Sequence, residues 1–85
     1  MKEDNRTIAA NILGKVLSGE ISPVTARTSW PEASGDALLD QAYHQLYHFE
    51  DDADIRARDL KYSEWQSAEM RLLIIELKGE KRKRD

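Results

Sequence analysis

Residues 36–54 read DALLDQAYHQLYHFEDDAD, and this stretch decides the fold that we predict. Its apolar side chains recur every three or four residues, which is the spacing of one face of an α-helix. The repeat predicts a helix over residues 37–50, with Asp36 or Ser34 as the side-chain cap at its start. The face that we expect to be buried comprises Leu38, Leu39, Ala42, Tyr43, Leu46 and Phe49.

A first helix is predicted upstream, over residues 5–18. Asp4 or Asn5 can cap its start, and Gly19 supplies a stop because glycine adopts the left-handed conformation at no steric cost. Two neighbouring rows of apolar residues give this helix one stripe to bury. The stripe consists of Ile8, Ala9, Ile12, Leu13, Val16 and Leu17.

A second, shorter helix is predicted over residues 23–30. Ser22 is a suitable N-cap, and Pro23 suits the first helical position because the N–H that it lacks would have no partner there. This helix has to end by Trp30, because Pro31 disfavours helical geometry at the residue before it.

The acidic cluster, by which we mean Glu50, Asp51, Asp52 and Asp54, ends the quoted stretch. Four carboxylates are unfavourable at a helix C-terminus, where the macrodipole is negative, and favourable in the first turn of a helix. We therefore expect the helix over residues 37–50 to end here and a short turn of helix to begin.

The last predicted helix covers residues 60–78, with Asp59 as its cap and Gly79 as its stop. We expect its buried face to comprise Tyr62, Trp65, Ala68, Leu72 and Ile75. A wider stripe adds Met70, Leu73, Ile74 and Leu77. Because residues 72–75 are apolar nearly all round, this helix should be central.

Together these segments predict an all-α fold, a compact four-helix bundle formed as a single domain by residues 1–79. Residues 80–85 are predicted to be a basic, frayed tail.

The 85 residues include no cysteine, which excludes disulfides, thiolate metal sites and thiol catalysis. The charged start of the chain does not read as a signal peptide, and no apolar run is long enough to span a bilayer. We therefore expect a cytoplasmic protein that does not contact membranes.

Charge is distributed unevenly along the chain. The net charge is −3, but residues 78–85 carry +3, so residues 1–77 carry −6. Residues 36–54 hold six carboxylates and no Lys or Arg. A protein with this excess of negative charge repels nucleic acid and attracts basic surfaces. The stretch is therefore either a solvated helix face with N-caps or a recognition surface for a basic partner. A favourable interaction with the helix dipole accounts for Asp36 and Asp40. The interpretation as a recognition surface therefore rests on the acidic cluster.

Two histidines lie close to this cluster in the sequence. His44 and His48 are one helical turn apart, with Asp40 one turn earlier, a spacing that can place two imidazoles and a carboxylate on one metal ion. The glutamate that follows the first histidine of zinc hydrolases is absent, so we predict no metal and no cofactor. Pairing of the imidazoles with nearby carboxylates would make partner binding depend on pH near neutrality. Tyr47 is a candidate interface anchor beside the cluster.

Two short segments, LSGEIS at residues 17–22 and FEDDAD at residues 49–54, carry a family resemblance. In these two segments, and in helix order and length, the chain resembles the colicin D-type immunity proteins. These are small helical proteins that block the tRNA-cleaving domain of a bacteriocin. The likeness covers most of the chain, although residues 23–36 depart from it. It implies that Glu50, Asp52 and Asp54 enter a basic active-site cleft and imitate the tRNA backbone. Tyr47 and His48 would lie beside them, and the role of Asp51 is less defined.

The partner that we predict is thus the basic nuclease domain of a bacterial toxin. The residues predicted to contact it are Asp40, His44, Tyr47, His48, Glu50, Asp51, Asp52 and Asp54. No Ser/His/Asp arrangement or glycine-rich phosphate loop is recognisable, so we do not expect an enzyme. A monomer is favoured, with the oligomeric state left open because apolar residues on the last helix could support a dimer.

Two other functions stay open at this point. One is an acidic adaptor, or a phage-type inhibitor, that binds another basic nucleic-acid-binding partner through the same residues. The other is a small metal-binding bundle or metal-dependent enzyme built on Asp40, His44 and His48.

Overall fold

The computed structural model describes residues 4–32 and 35–79, and this part of the chain is all-helical, with no β-strand. Its helices are α1 (Asn5–Ser18), α2 (Pro23–Thr28), α3 (Ala37–Asp51), α4 (Ala53–Arg58) and α5 (Leu60–Leu77). The tail predicted over residues 80–85 and the alternative cap Ser34 lie outside the described residues. None of the described helices is long and apolar enough to cross a membrane.

Three long helices and two short ones make up this architecture. The long helices α1, α3 and α5 contact one another in every pairing, and the contact between α1 and α5 is the most extensive. Helix α2 bridges α1 and α3, whereas α4 packs on α3 and α5. The all-α prediction is confirmed. The four-helix bundle is not, because the turn of helix expected after the acidic cluster is a separate element, α4.

Local signals in the sequence set most of the helix ends. The side chains of four N-cap residues accept hydrogen bonds from the backbone of the first helical turn, and these residues are Asp4, Ser22, Asp36 and Asp59. At the end of α1, Gly19 adopts the left-handed conformation with φ of 82°, and its N–H reaches the carbonyls of Lys15 and Val16. These caps confirm the predicted starts of the four helices and the predicted end of α1.

Helix α2 ends at Thr28, two residues before the predicted limit at Trp30. The hydroxyl groups of Thr28 and Ser29 donate to the carbonyls of Val24 and Thr25. Such side chains compete with backbone N–H groups for the last carbonyls of a helix, which favours an early end. The end at Thr28 agrees with the limit that Pro31 places on Trp30.

The core lies where the three long helices meet. Its largest fully buried side chains are Leu13, Leu39, Leu46 and Met70. The other buried apolar residues are Ala9, Ala10, Val16, Ala26, Ala42, Leu73 and Leu77. Phe49 and Trp30 are half-buried and pack against this cluster. The alanines on α1 and α3 leave room for close approach of the helices, so that a short chain can still form a continuous core.

The predicted buried face of α5 is wrong for its first row of residues, whereas three residues of the predicted wider stripe, Met70, Leu73 and Leu77, are buried. The buried residues of α5 are Gln66, Met70, Leu73 and Leu77. The predicted face instead points to solvent, with Trp65 54%, Leu72 43% and Ile75 37% exposed. Because α5 has apolar residues nearly all round, its periodicity fits two orientations, and the helix takes the one that places Gln66 inside. Tyr43 on α3 was also predicted to be buried and is 36% exposed, with its ring centre 6.0 Å from that of Trp30.

Adjacent leucines on α5 give a direct test of this orientation. Leu73→Ala should lower the free energy of unfolding by about 2–4 kcal/mol, because it opens a cavity in the core. Leu72→Ala should lower it by less than about 1 kcal/mol in dilute solution, because the side chain is already half in water. Chemical denaturation of the two variants measures both values, and similar losses would contradict the observed orientation.

Candidate partner-binding site

The first carboxylate of the acidic stretch has a partner on α1. Both oxygens of Asp36 accept hydrogen bonds from the guanidinium of Arg6, from Nε and Nη2, each at 3.0 Å. This bidentate pairing is the largest of the causes that lower the pKa of Asp36. Because Asp36 also caps α3, the pair fastens the start of α3 to α1.

A second carboxylate, Glu50, has a partner on α2. Glu50 Oε1 lies 2.9 Å from Nε and 2.6 Å from Nη2 of Arg27. The same guanidinium lies 5.3 Å from the ring centre of Tyr47. Arg27 thus neutralises Glu50 and covers one side of Tyr47, while half of the Tyr47 surface stays exposed.

A third carboxylate, Asp52, is held by α5. It lies between α3 and α4 but makes no side-chain cap to α4. Its Oδ2 instead accepts a hydrogen bond from the Tyr62 hydroxyl at 2.6 Å and from Gln66 Nε2 at 3.1 Å. The bond from Tyr62 is the largest of the causes that lower the pKa of Asp52. Asp52 is therefore a structural link between the α3–α4 junction and α5.

Arg56 completes this network from α4. Its Nη1 donates to the carbonyl of Phe49 and, at 2.9 Å, to Oε1 of Gln66. The guanidinium also stacks over the Phe49 ring, 3.6 Å from its centre, a contact worth about 1 kcal/mol. Burial lowers the pKa of Arg56, against the opposing attraction of Asp52. Helix α4 has no fully buried residue, so Arg56 is its main attachment to the core.

The sequence analysis does not identify three residues that make these contacts, namely Arg27, Arg56 and Gln66. In a charged or polar segment, each of them reads as a solvated residue on a helix surface. The charge imbalance is the feature of the sequence that could have indicated them, because four clustered carboxylates repel one another unless basic side chains from other helices lie beside them.

The remaining predicted site residues form an exposed surface. Asp40, His44, Tyr47, His48 and Asp51 are all exposed, and their spacing places them on the outer face of α3, away from Leu39, Ala42 and Leu46. Asp54 follows in the first turn of α4 and is exposed as well. Within residues 4–32 and 35–79, Asp40, Asp51 and Asp54 take part in no ion pair. We call these six residues the outer acidic face.

The structure therefore divides the predicted contact residues into two groups. Glu50 and Asp52 are engaged inside the protein, whereas the outer acidic face is open to solvent. In the described part of the chain, no group of three or more His, Cys, Asp or Glu side chains is arranged to hold a metal ion. The spacing of Asp40, His44 and His48 thus has no matching geometry in this structure.

Comparison of the chain with protein-family models, with curated proteins and with solved structures found no match in any of the three. The resemblance to colicin D-type immunity proteins stays a prediction.

The contact between Asp52 and Tyr62 should be visible in the pH dependence of stability. The folded pKa of Asp52 lies below 3.8, so the stability that it contributes is lost as the pH falls through that lowered value. The folded pKa of Tyr62 lies above 10.0, so its contribution is lost as the pH rises through that raised value. Tyr62→Phe should therefore cost most stability between these limits, and the difference from wild type should shrink at either extreme.

The measurement is the free energy of unfolding of both proteins across the pH range. Tyr47→Phe is the matched control, because it removes a hydroxyl that makes no hydrogen bond to any described residue. A loss in Tyr62→Phe that stays constant from acid to alkaline pH would contradict the assigned contact.

Proposed function

We propose that this chain is an immunity protein that binds and inhibits the nuclease domain of a bacterial toxin, with an RNase that cleaves tRNA as the preferred target. In this proposal, the outer acidic face enters the basic cleft of the nuclease and occupies the place of the RNA backbone. The observation that carries the proposal is that Asp40, Asp51 and Asp54 are exposed and make no ion pair with any described residue, whereas Asp36, Glu50 and Asp52 are used internally.

Exposed carboxylates on a helical scaffold suit a basic cleft for physical reasons. Asp40 and Asp51 are eleven residues apart on α3, which corresponds to about 16 Å along the helix axis. Each carboxylate offers two acceptor oxygens, which match the paired donors of an arginine side chain. Their negative potential accelerates encounter with a basic partner and makes the association rate sensitive to salt. Mutual repulsion of these charges in the free protein falls when the partner neutralises them.

Tyr47 gives this charged face an apolar centre. It lies among the carboxylates with half of its surface exposed, and Arg27 restrains one side of the ring. A tyrosine whose motion is already restricted loses little conformational entropy on binding, which is typical of interface anchors. In the proposed complex, Tyr47 packs against the wall of the cleft and the carboxylates contact its basic side chains.

Glu50 and Asp52 have a positioning role in this proposal. Asp52 fixes the junction of α3 and α4 through Tyr62 and Gln66, and thereby sets Asp54 relative to Asp51. Of the three residues that the family resemblance favoured, Asp54 remains a contact residue. Asp51, whose role was less defined, joins it.

The partner can be identified by capture on the tagged 85-residue chain from the native host, followed by mass spectrometry. The proposal expects a protein with a basic domain that cleaves RNA, and expects the purified chain to inhibit that cleavage at a one-to-one ratio. A specific partner without nuclease activity would support the adaptor or phage-type inhibitor instead. A nuclease that the chain binds without inhibiting would contradict the proposed mechanism.

Charge reversal tests the proposed surface. The double variant with Asp51→Lys and Asp54→Lys should bind the partner at least about 100-fold more weakly, because two attractive contacts become repulsive. The weakening should be largest at low salt, since screening reduces it. Affinity measured by calorimetry or surface plasmon resonance at two salt concentrations checks both points.

The matched control compares the single variants Asp51→Lys and Glu32→Lys, which change the net charge by the same amount. The carbonyl of Glu32 accepts a hydrogen bond from Asn5 in the first turn of α1, next to Arg6, whose guanidinium binds Asp36 at the start of α3. Asp51 lies at the other end of α3, which has 15 residues and is thus about 22 Å long. Glu32→Lys should weaken binding by only a few-fold, through net charge. Equal losses in Asp51→Lys and Glu32→Lys would show that net charge, and not the outer acidic face, drives binding.

A further inference from the structure

An exposed apolar stripe runs along α5, on the side opposite to its core residues. We define the α5 stripe as Trp65, Ala68, Leu72 and Ile75, all of which are exposed. Their spacing of three, four and three residues is the a/d spacing of a heptad repeat, in which one helix packs against another. Large apolar residues at this spacing on a solvent-facing helix indicate an interaction surface.

The charges that flank the stripe differ from those of the outer acidic face. Glu64, Arg71 and Lys78 follow one edge, at intervals of seven residues. Glu69 and Glu76 follow the other edge. A strongly basic or strongly acidic partner would meet a charge of its own sign on such a border. A surface that carries both signs can satisfy itself in a symmetric pair.

We propose that a second copy of this chain covers the stripe, with the two α5 helices antiparallel about a two-fold axis near residue 70. This arrangement places Trp65 opposite Ile75 of the second copy, and Ala68 opposite Leu72 of the second copy. Each layer then combines a larger with a smaller side chain, which fills the interface evenly. Parallel helices would stack tryptophan on tryptophan and alanine on alanine, which gives one crowded layer and one void.

The flanking charges attract one another at the ends of the stripe in the antiparallel orientation. There, Glu64 lies next to Lys78 of the second copy, and two-fold symmetry makes this contact twice. Near the centre of the antiparallel pair, Arg71 and Glu69 each meet their own counterpart, which costs affinity. Parallel pairing would instead bring Glu64 next to Glu69 and Arg71 next to Glu76 of the second copy, so the sign of the Arg71 contact distinguishes the two orientations.

The size of the interface makes this dimer weak. Helix α5 has 18 residues and is thus about 27 Å long, and a helix contact is about 10 Å wide. The resulting area is well below the roughly 800 Å² per partner that is typical of stable complexes. We expect a monomer in dilute solution and a dimer at high protein concentration. The stripe shares no residue with the outer acidic face, so this inference and the proposed function can fail separately.

Sedimentation equilibrium of the 85-residue chain, from about 5 μM to about 500 μM, tests the inference across the range expected for a small interface. The average mass should rise from 9.8 kDa towards twice that value as concentration increases. Leu72→Glu should stay monomeric throughout, because it places a charge in the centre of the stripe. Val24→Glu is the matched control, since Val24 is 51% exposed on α2, and it should associate as wild type does.

Two further variants test the orientation. Arg71→Gln should strengthen association several-fold, because it removes the repulsion at the two-fold axis, whereas in a parallel pair it would weaken association. Glu64→Lys should weaken the dimer, and adding Lys78→Glu should restore it. Circular dichroism confirms that each variant is folded. A wild-type chain that stays monomeric over the whole range, Leu72→Glu that associates like wild type, or weaker association in Arg71→Gln would overturn the proposal.

Discussion

The hydrogen-bonded group formed by Asp52, Arg56, Tyr62 and Gln66 is the constraint on which the rest of the structure depends. Gln66 is the only polar residue among the buried side chains of the described part, and its amide is matched at both ends by Arg56 and Asp52. A buried amide without those partners would carry a desolvation cost. With Gln66 turned inwards, helical geometry brings Met70, Leu73 and Leu77 into the core and turns Trp65, Leu72 and Ile75 outwards. The orientation that α5 adopts is thus one in which its buried amide is fully satisfied.

The same group explains which features could be predicted from sequence. The limits of α1, the four N-caps and the break between α3 and α4 are encoded within a few residues, and local rules find them. The orientation of α5 depends on partners that lie 10 and 14 residues from Gln66. The partners of Asp36 and Glu50 are 30 and 23 residues away. No pattern within a single helix contains that information, because it arises only when the helices pack together.

The acidic stretch consequently has two parts with different physical roles. Asp36, Glu50 and Asp52 each fasten α3 or its end to another helix, and their negative charge is used within the fold. Asp40, Asp51 and Asp54 have no such use in the described part of the chain. A count of carboxylates along the sequence merges the two groups, whereas their contacts separate them. The separation identifies which charges are available to another molecule.

The division between internal and external carboxylates also bears on how this sequence can evolve. Replacement of Asp36, Glu50 or Asp52 alters contacts between helices, so selection for folding acts on these positions whatever the protein binds. The outer acidic face makes few demands on folding, and its residues can be exchanged while the helices stay in place. If a binding partner changes during evolution, substitutions can therefore accumulate on this face while the helical scaffold stays the same.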